Sequence, residues 1–365
     1  MKTAVVLLNF ITRDYLSKFL PGLIASCEGL DAQVVVADNA SKDDSVQLME
    51  KVFPDVPLIR LDQNYGFTGG YNRALARLEA EYFVLINSDI EVPRDWLKPL
   101  VEWMDSHPAC GACGPKLISY HQRDTFEYAG AAGGCLDRYG YPFCRGRVLQ
   151  HVEKDHGQYD TPADVLWCSG ACLMVRASLW KELGGLDERF FAHMEEIDLC
   201  WRMQLRGWKV TMVPQSYVYH IGGGTLPNES PFKLRLNFRN NLLLLENNLP
   251  ATFYAEMADQ VGHDESRHAR LDQHRHARLD QHRHARLDRA SRRKARVRIF
   301  ERMCLDGLSA LVYLVTRRYS FYQAVLQAHK EYRQLRRSGD IPVHPCRPDG
   351  LYDGWIVPKG LFGKK

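Results

Sequence analysis

Long apolar runs are missing from this sequence of 365 residues. In the C-terminal segment that follows residue 298, the longest uncharged apolar stretch, Gly307 to Thr316, is far shorter than the about 20 residues that span a bilayer. At the start of the chain, MKTAVVLLNF offers only five apolar residues in a row before Asn9, too few for the apolar core of a secretion signal. We therefore expect a cytoplasmic protein with reduced cysteines.

Two further absences argue against other functions. The net charge is only +4, and residues 263–298 carry twelve Lys and Arg against five Asp and Glu, so the rest of the chain is slightly acidic. This distribution argues against a nucleic-acid partner. The turn after the first predicted strand, NFITRDY (9–15), contains no glycine, which argues against a nicotinamide oxidoreductase and a nucleotidyltransferase.

The first ninety residues alternate strands and helices. Continuous apolar runs predict buried strands over 3–9, 33–38, 57–61 and 81–87, and helical patterns separate them. The βαβαβαβ order predicts an α/β fold with a mostly parallel, doubly wound sheet.

The second half has a less regular pattern. A strand and a short helix are predicted over 164–185, and a helix runs from about Glu195 to Arg206. A further strand ends at Pro214, and a short one begins at Val218.

Polar residues follow all four N-terminal strands: Asn9, Asp38 with Asn39, Asp62 with Asn64, and Asn87 with Asp89. Ligands of such sheets bind beyond the carboxyl ends of the strands. Asn and Asp are also common turn residues, but their presence after every strand favours a polar binding site.

The segment NYGFTGGYN (64–72) opens the third predicted helix. Its glycines allow a close approach of the backbone to a ligand, and a helix N-terminus favours phosphate. Asn64 and Asn72 add neutral donors. Asp38, after the second strand, can accept hydrogen bonds from a base or a ribose.

A metal site is predicted after the fourth strand. Asp89 lies just past this strand, and carboxylate oxygens suit Mg²⁺ or Mn²⁺, which commonly keep substrate phosphate among their ligands. The alternative is a capped turn before Pro93. His220, which ends the strand YVYH, is a further candidate ligand or a packed core histidine.

The segment FFAHMEEIDLCWR (190–202) places three acids at the start of a helix. Asp198 can pair with Arg202 four residues on, and Glu195 and Asp198 suit the helix dipole. Glu196 points about 100° away, into an apolar environment that raises the pKa of a carboxyl and suits a general base.

The last third of the chain divides into two parts in this interpretation. Residues 251–298 form a basic linker with the tandem repeat RHARLDQH at 267–288, and residues 299–365 form an amphipathic helical extension and tail. Arginines around the apolar positions make contact with a membrane surface, or with the main domain, plausible for the extension.

Six segments in order resemble the motifs of a family 2 glycosyltransferase of the GT-A fold: VVVADNAS, NYGFTGGYN, LINSDIEV, WCSGACLMVR, GGLDERFFAHMEEIDLCWR and VYHIGGG. Within that family the chain resembles bacterial rhamnosyltransferase-like enzymes of surface-polysaccharide assembly. The resemblance covers about residues 3–250 and implies a catalytic domain at 1–250.

The resemblance implies inverting transfer of a sugar, rhamnose in this subgroup, from a nucleotide-diphosphate donor to a glycan or lipid-linked glycan. It also implies a peripheral position on the inner face of the cytoplasmic membrane. The residue roles it implies are as follows: Asn9, Asp38, Asn64, Gly66, Asn72 and Ser88 for the donor; Asp89 and His220 for Mg²⁺ or Mn²⁺; Glu196, with Glu195, for catalysis; Trp167 and Trp201 for the acceptor, or for packing.

Two departures from the family pattern matter. The Asp-x-Asp signature is Asn87-Ser88-Asp89 here, with one carboxylate missing, and the base is Glu rather than Asp. The missing carboxylate keeps a second hypothesis open, a non-catalytic GT-A scaffold that binds nucleotide or glycan. Retention of Asp89, Glu196 and His220 argues for the enzyme.

Overall fold

The computed structural model describes residues 1–222, 230–265, 273–337, 339–342 and 344–356, with side chains outside 260–283. The glycines at 223 and 224 and the first part of the tandem repeat lie outside the described residues. The described chain contains the helices α1 Arg13–Ser26, α2 Ser45–Val52, α3 Gly66–Leu75, α4 Leu97–Ser106, α5 Ala177–Glu182, α6 Glu195–Gln204, α7 Pro231–Glu265, α8 Gln273–Val315 and α9 Tyr319–Leu335. Its strands are β1 Thr3–Asn9, β2 Ala32–Asp38, β3 Leu58–Arg60, β4 Tyr82–Ile86, β5 Ile90–Glu91, β6 Cys110–Ser119, β7 Gly134–Asp137, β8 Pro142–Cys144, β9 Arg147–Val148, β10 His151–Val152, β11 Ala163–Asp164, β12 Cys172–Arg176, β13 Lys209–His220 and β14 Leu351–Tyr352.

A central sheet organises the fold, in the order β11-β13-β6-β12-β4-β1-β2-β3 with β5 beside β13. The four N-terminal strands are parallel, which confirms the predicted doubly wound core. β12 is antiparallel to both β4 and β6, so the sheet as a whole is mixed. A second sheet, β10-β9-β8-β7-β14, lies beside it.

Both faces of the sheet are buried, as its continuous apolar strands predict. Along β1, Val5 and Leu7 face a core formed with α1, α2 and α4, whereas Ala4 and Val6 face a core formed with α3, α5, α6 and α7. Because successive side chains of a strand point to opposite faces of the sheet, β1 contributes to both apolar cores.

Pro214 does not end a strand, contrary to the sequence prediction. β13 continues through it to His220, with a register shift between Met212 and Tyr217. Such a bulge accommodates a residue that has no N–H to donate. The continuous strand carries His220 to the edge where β5 pairs with it.

The C-terminal third is integrated with the main domain. α7 runs through Pro250, so the predicted domain boundary at 250 falls inside a helix, and α8 begins within the predicted linker. The tail returns to the core, where β14 pairs with β7 and the Asp349 N–H donates to Gln204 Oε1 over 2.8 Å. Among the described residues, no helix is both long and apolar enough to cross a membrane.

Candidate active site

Two buried polar side chains join the ends of β1 and β2. Asn9 Nδ2 donates to Asp38 Oδ1 over 2.7 Å and to Ser41 Oγ over 3.0 Å, and the Ser41 N–H donates to Asp38 Oδ2 over 3.0 Å. Asn9 thus orients the Asp38 carboxylate instead of facing a ligand. A carboxylate has about four lone-pair positions, so Asp38 keeps acceptor capacity for a donor nucleoside.

The first three amides of α3 are already bonded within the protein. The N–H of Gly66 donates to Asn64 Oδ1 over 2.8 Å. The N–H groups of Phe67 and Thr68 donate to the carbonyl oxygen of Phe191 over 2.7 and 3.2 Å. The structure therefore argues against the prediction that this helix N-terminus binds the donor diphosphate, because a backbone carbonyl already accepts from two of its amides.

Gly66 and Asn72, both predicted to bind the donor, contact the segment that leads into α6. Gly66 has a φ of +69°, and a Cβ there would lie 2.5 Å from the Phe191 ring. Asn72 exchanges two hydrogen bonds with the Leu186 backbone, of 2.8 and 2.9 Å. The NYGFTGGYN segment therefore supports the residues before α6 rather than presenting its own groups to a ligand.

The backbone before α6 is strained. Phe191, His193 and Met194 have φ values of 63°, 72° and 70°, although none of them is glycine. Left-handed conformations in such residues are rare, persist only when the surroundings fix them, and cluster at functional sites.

Two α7 side chains fix this strained segment, and sequence reasoning missed both. Asn240 Nδ2 lies 3.0, 2.7 and 2.7 Å from the carbonyl oxygens of Phe190, Ala192 and His193, which share its two N–H donors. Arg239 Nη2 donates to the Phe190 carbonyl over 2.7 Å. No local pattern marks these residues, since about fifty positions separate them from their partners.

Of the three acids on α6, only Asp198 is fully bonded. Arg202 Nε donates to its Oδ2 over 2.7 Å, which confirms the predicted pair. Asn247 and Asn248 donate to its Oδ1 over 2.9 Å each. Asp198 therefore anchors α6 to α7.

Glu195 and Glu196 each keep a buried Oε2 with no hydrogen-bond partner among the described residues. Burial raises the pKa of Glu195 well above its usual range, and the Glu196 charge raises it further. Burial also raises the pKa of Glu196, against the lowering effect of backbone N–H groups that include Gly170. Neither carboxyl is therefore fully bonded by the described residues, in contrast to Asp198.

Asp89 and His220 meet at the sheet edge, as predicted. His220 Nε2 lies 3.2 Å from Asp89 Oδ1, and both residues are buried. Burial alone would raise the pKa of Asp89, but the hydrogen bond and charge of His220 lower it below its ordinary value. Ser88 is buried directly before Asp89, in the turn between β4 and β5.

Glu127 is a third member of this group that the sequence did not reveal. Its Oε2 lies 3.5 Å from His220 Nδ1, an ion pair longer than a good hydrogen bond, and accepts from the Ala129 N–H over 2.6 Å. Burial lowers the pKa of His220, but the Asp89 hydrogen bond and Glu127 raise it to about 10.

The Asp89–His220 pair has the geometry of two neighbouring metal ligands. Ligands about 2.1 Å from an ion in an octahedral shell lie about 3 Å apart, close to the separation of Oδ1 and Nε2. In the part of the chain that the structure describes, no cluster of three or more His, Cys, Asp or Glu side chains could hold a metal ion. The pair therefore fits an ion that displaces the extra proton of His220 and takes its other ligands from substrate and water.

Lys233, on the first turn of α7, interacts electrostatically with Glu127 and with His193. Burial lowers the pKa of Lys233 and the nearby Glu127 raises it, while burial and the Lys233 charge lower the pKa of His193 to about 4. One amino group thus acts on both Glu127 and the residue two positions before Glu195. Sequence reasoning did not identify Lys233, because Glu127 and His193 lie far from it along the chain.

The two predicted acceptor-binding tryptophans lie in the core instead. Trp167 is 3% exposed and donates to the Cys135 carbonyl over 3.2 Å, and Trp201 is 1% exposed and donates to Thr252 Oγ1 over 3.0 Å. With their rings covered and their N–H groups satisfied, they serve packing, the alternative role considered for them.

A family model described as "Glycosyl transferase family 2" matches residues 5–184. The chain is 28% identical over 234 residues to the N-acetylglucosaminyl-diphospho-decaprenol L-rhamnosyltransferase of Mycobacterium tuberculosis, covering 59% of this chain and 75% of the relative. It is 25% identical over 226 residues to rhamnosyltransferase WbbL of Escherichia coli, covering 59% and 82%.

Among solved structures, the fold resembles that of GalNAc-T7, crystallised with UDP, GalNAc and Mn²⁺, with a TM-score of 0.52 and 15% identity. The match covers 71% of this chain and 50% of that one. The fold is thus the predicted GT-A architecture with additional C-terminal helices.

Proposed function

Because this chain is a family 2 glycosyltransferase that resembles the rhamnosyltransferases, we propose that it transfers a sugar from a nucleotide-diphosphate donor to a lipid-linked glycan. The reaction belongs to cell-surface polysaccharide synthesis and inverts the transferred carbon. The observation that carries the proposal is the buried Glu196 carboxyl, whose Oε2 has no hydrogen-bond partner among the described residues. Glu196 packs against Gly170, whose neighbour Ala171 accepts a hydrogen bond from Asn87, two residues before Asp89.

We assign the donor to the edge formed by β1, β2 and β4. Asp38 accepts hydrogen bonds from the nucleoside, and Asp89 with His220 holds Mg²⁺ or Mn²⁺. When bound, that ion supplies positive charge to the leaving diphosphate. Since the α3 amides are occupied, Lys233 replaces them as the cationic group for the diphosphate.

Glu196 acts as the general base. Its carboxylate takes the proton of the acceptor hydroxyl as that oxygen attacks the anomeric carbon. The bond from that carbon to the diphosphate oxygen breaks, and its electron pair leaves with the diphosphate. Glu195 retains its own proton, because two adjacent buried carboxyls do not both ionise readily.

The first test concerns donor binding. The purified chain is unfolded thermally with UDP-, dTDP- and GDP-sugars, with and without Mn²⁺. A ligand at a hundred times its Kd stabilises by about 2.7 kcal/mol. We expect one nucleotide to stabilise the chain only with Mn²⁺, and Asp89→Ala to remove this effect.

The second test concerns transfer. With the donor so identified and a prenyl-diphosphate N-acetylglucosamine acceptor, suggested by the mycobacterial relative, Glu196→Gln should lower kcat by roughly 10²–10⁴-fold. Glu182→Gln, an exposed carboxylate on α5, is the matched control. Normal turnover by Glu196→Gln at saturating donor would exclude it as the base, and donor binding without any transfer would favour the scaffold.

A lipid-linked acceptor also places the reaction at a membrane. We assign the enzyme to the cytoplasmic face of the membrane, where nucleotide-sugar donors are available.

A further inference from the structure

Exposed apolar side chains concentrate on one part of the surface. Of the seventeen large apolar residues that are exposed in the described chain, nine fall between positions 297 and 326. Six of them define what we term the α8 outer face: Val297, Phe300, Leu308, Leu311, Val312 and Val315, each at least 53% exposed. A patch of this kind marks an interaction site rather than ordinary surface.

These six residues form a single face of the helix. Their spacing keeps them within an arc of about 120°, along about 27 Å of the helix axis. The opposite side of α8 is buried against α7 and α9 and includes Ile299, Arg302, Asp306 and Ala310. The inward side therefore completes the fold, and the α8 outer face is not needed for it.

Positive charge surrounds the α8 outer face. Residues 289–318 contain nine Lys and Arg but only two Asp and Glu. Asp306 is fully buried and paired with Arg302, and Glu301 pairs with Arg298. Exposed arginines stand at both ends of the face, Arg293 and Arg296 before it and Arg317 and Arg318 after it.

A groove of about 500 Å³ opens at the basic end of the face, lined by Arg289, Arg293, Lys294 and Val297 among others. It combines guanidinium groups with an apolar wall, which matches a phosphate headgroup attached to an acyl chain.

We propose that the α8 outer face lies on the surface of a bilayer rich in anionic phospholipid, with its apolar residues in the headgroup–acyl boundary and its arginines on lipid phosphates. A helix with an apolar face and basic flanks that is too short to span binds in this way. A second copy of this chain would instead bring two basic faces together, which like-charge repulsion opposes. Membrane contact would serve to present a lipid-linked acceptor, and in this respect the inference rests on the proposed function. Vesicle binding itself is measured without any sugar.

The chain provides its own probe position. Cys304 is exposed on α8, four residues from both Phe300 and Leu308, and the only other exposed cysteine among the described residues is Cys346 in the tail. We attach an environment-sensitive fluorophore to Cys304 in a Cys346→Ser background, and to Cys346 in a Cys304→Ser background as the control. Vesicles are made of phosphatidylcholine and phosphatidylglycerol in equal parts, or of phosphatidylcholine alone.

We expect a blue shift at Cys304 with the anionic vesicles, none at Cys346, and loss of the shift at high salt. The triple variant Leu308→Ser, Leu311→Ser and Val315→Ser should weaken vesicle binding by roughly thirty- to a hundredfold. Arg293→Gln with Arg296→Gln should weaken it by roughly twentyfold, about fivefold for each arginine. The control removes exposed apolar residues elsewhere, with Leu30→Ser and Val52→Ser, and should bind like the unmodified chain.

Equal shifts at both cysteines, equal binding to both vesicle types, or binding unaffected by the triple variant would overturn the inference. A triple variant that loses a dimer in solution while the parent ignores vesicles would assign the face to a second copy instead. Unchanged donor-induced stabilisation in every variant shows that the chain is folded. If vesicle binding fails while transfer to a detergent-solubilised acceptor persists, the membrane inference falls and the proposed function stands.

Discussion

The stability of this chain should depend on pH through Glu195 in a direction opposite to that of most surface carboxylates. In the folded chain its pKa lies well above the usual range, because of burial and the neighbouring Glu196 charge. In the unfolded chain it titrates near the ordinary value of about 4.3. Above that value the folded state holds a proton that the unfolded state has released, so the Glu195 contribution to stability is complete at low pH and declines as the pH rises.

Glu195→Gln removes this dependence, since a neutral amide of similar shape does not titrate. The slope for one proton is about 1.4 kcal/mol per pH unit, so the variant should gain stability relative to the parent, by up to this amount for each pH unit above the unfolded-state pKa over which the folded chain keeps the proton. Coupling to Glu196 reduces this figure, because either carboxyl can hold the shared proton. Near pH 4.5 the two proteins should differ little.

The assay is urea unfolding of parent and variant, followed by circular dichroism from pH 4.5 to pH 8. Contributions of all other groups cancel in the difference between the two proteins. The exposed Glu182→Gln variant is the matched control for the loss of a carboxylate. A flat difference for Glu195→Gln, or one that favours the parent at high pH, would refute the assignment of a proton to this buried pair.

Three further predictions concern the supports of the site. Glu127→Gln should weaken Mn²⁺ binding by about 10–100-fold, because it removes the carboxylate that orients His220. Electron paramagnetic resonance of free Mn²⁺ measures this affinity, and an unchanged value would show that Glu127 does not support the metal site. Gly66→Ala should cost about 2–4 kcal/mol in chemical unfolding through its positive φ and the clash with a phenyl ring, whereas Gly22→Ala, in open space within α1, should be neutral or stabilising. Asn240→Ala should cost about 2–4 kcal/mol and lower kcat more than it raises KM, since the strained segment before the base is released; equal effects on both constants would contradict this.

The parts of the fold that follow from local pattern were predictable from the sequence. The first four strands are continuous apolar runs, and their parallel pairing follows from the helices between them. The Asp198–Arg202 pair follows from helical spacing alone, and so does the placement of Glu196 on another side of α6.

What sequence reasoning missed depends on contacts across long stretches of chain. The occupation of the α3 amides by Phe191 could not be predicted, because the acceptor is a backbone carbonyl more than a hundred residues away. Glu127 approaches His220, and Lys233 approaches His193, only in the folded chain, in which β13 continues through Pro214. The tryptophans were assigned to sugar by residue type, which does not distinguish a covered ring from an exposed one.

The hydrogen bonds from α7 to the strained segment before α6 have a consequence for synthesis of the chain on the ribosome. The N-terminal sheet can form as soon as its strands emerge. The carbonyl groups of Phe190, Ala192 and His193 lack their hydrogen-bond donor until Asn240 is synthesised, and Gln204 lacks its partner until Asp349 is synthesised. Nascent chains generally fold from the N-terminus onwards. We therefore expect the proposed donor-binding end to assemble early and the proposed base, Glu196, to be positioned late, so an incomplete chain should be inactive even when its first half is folded.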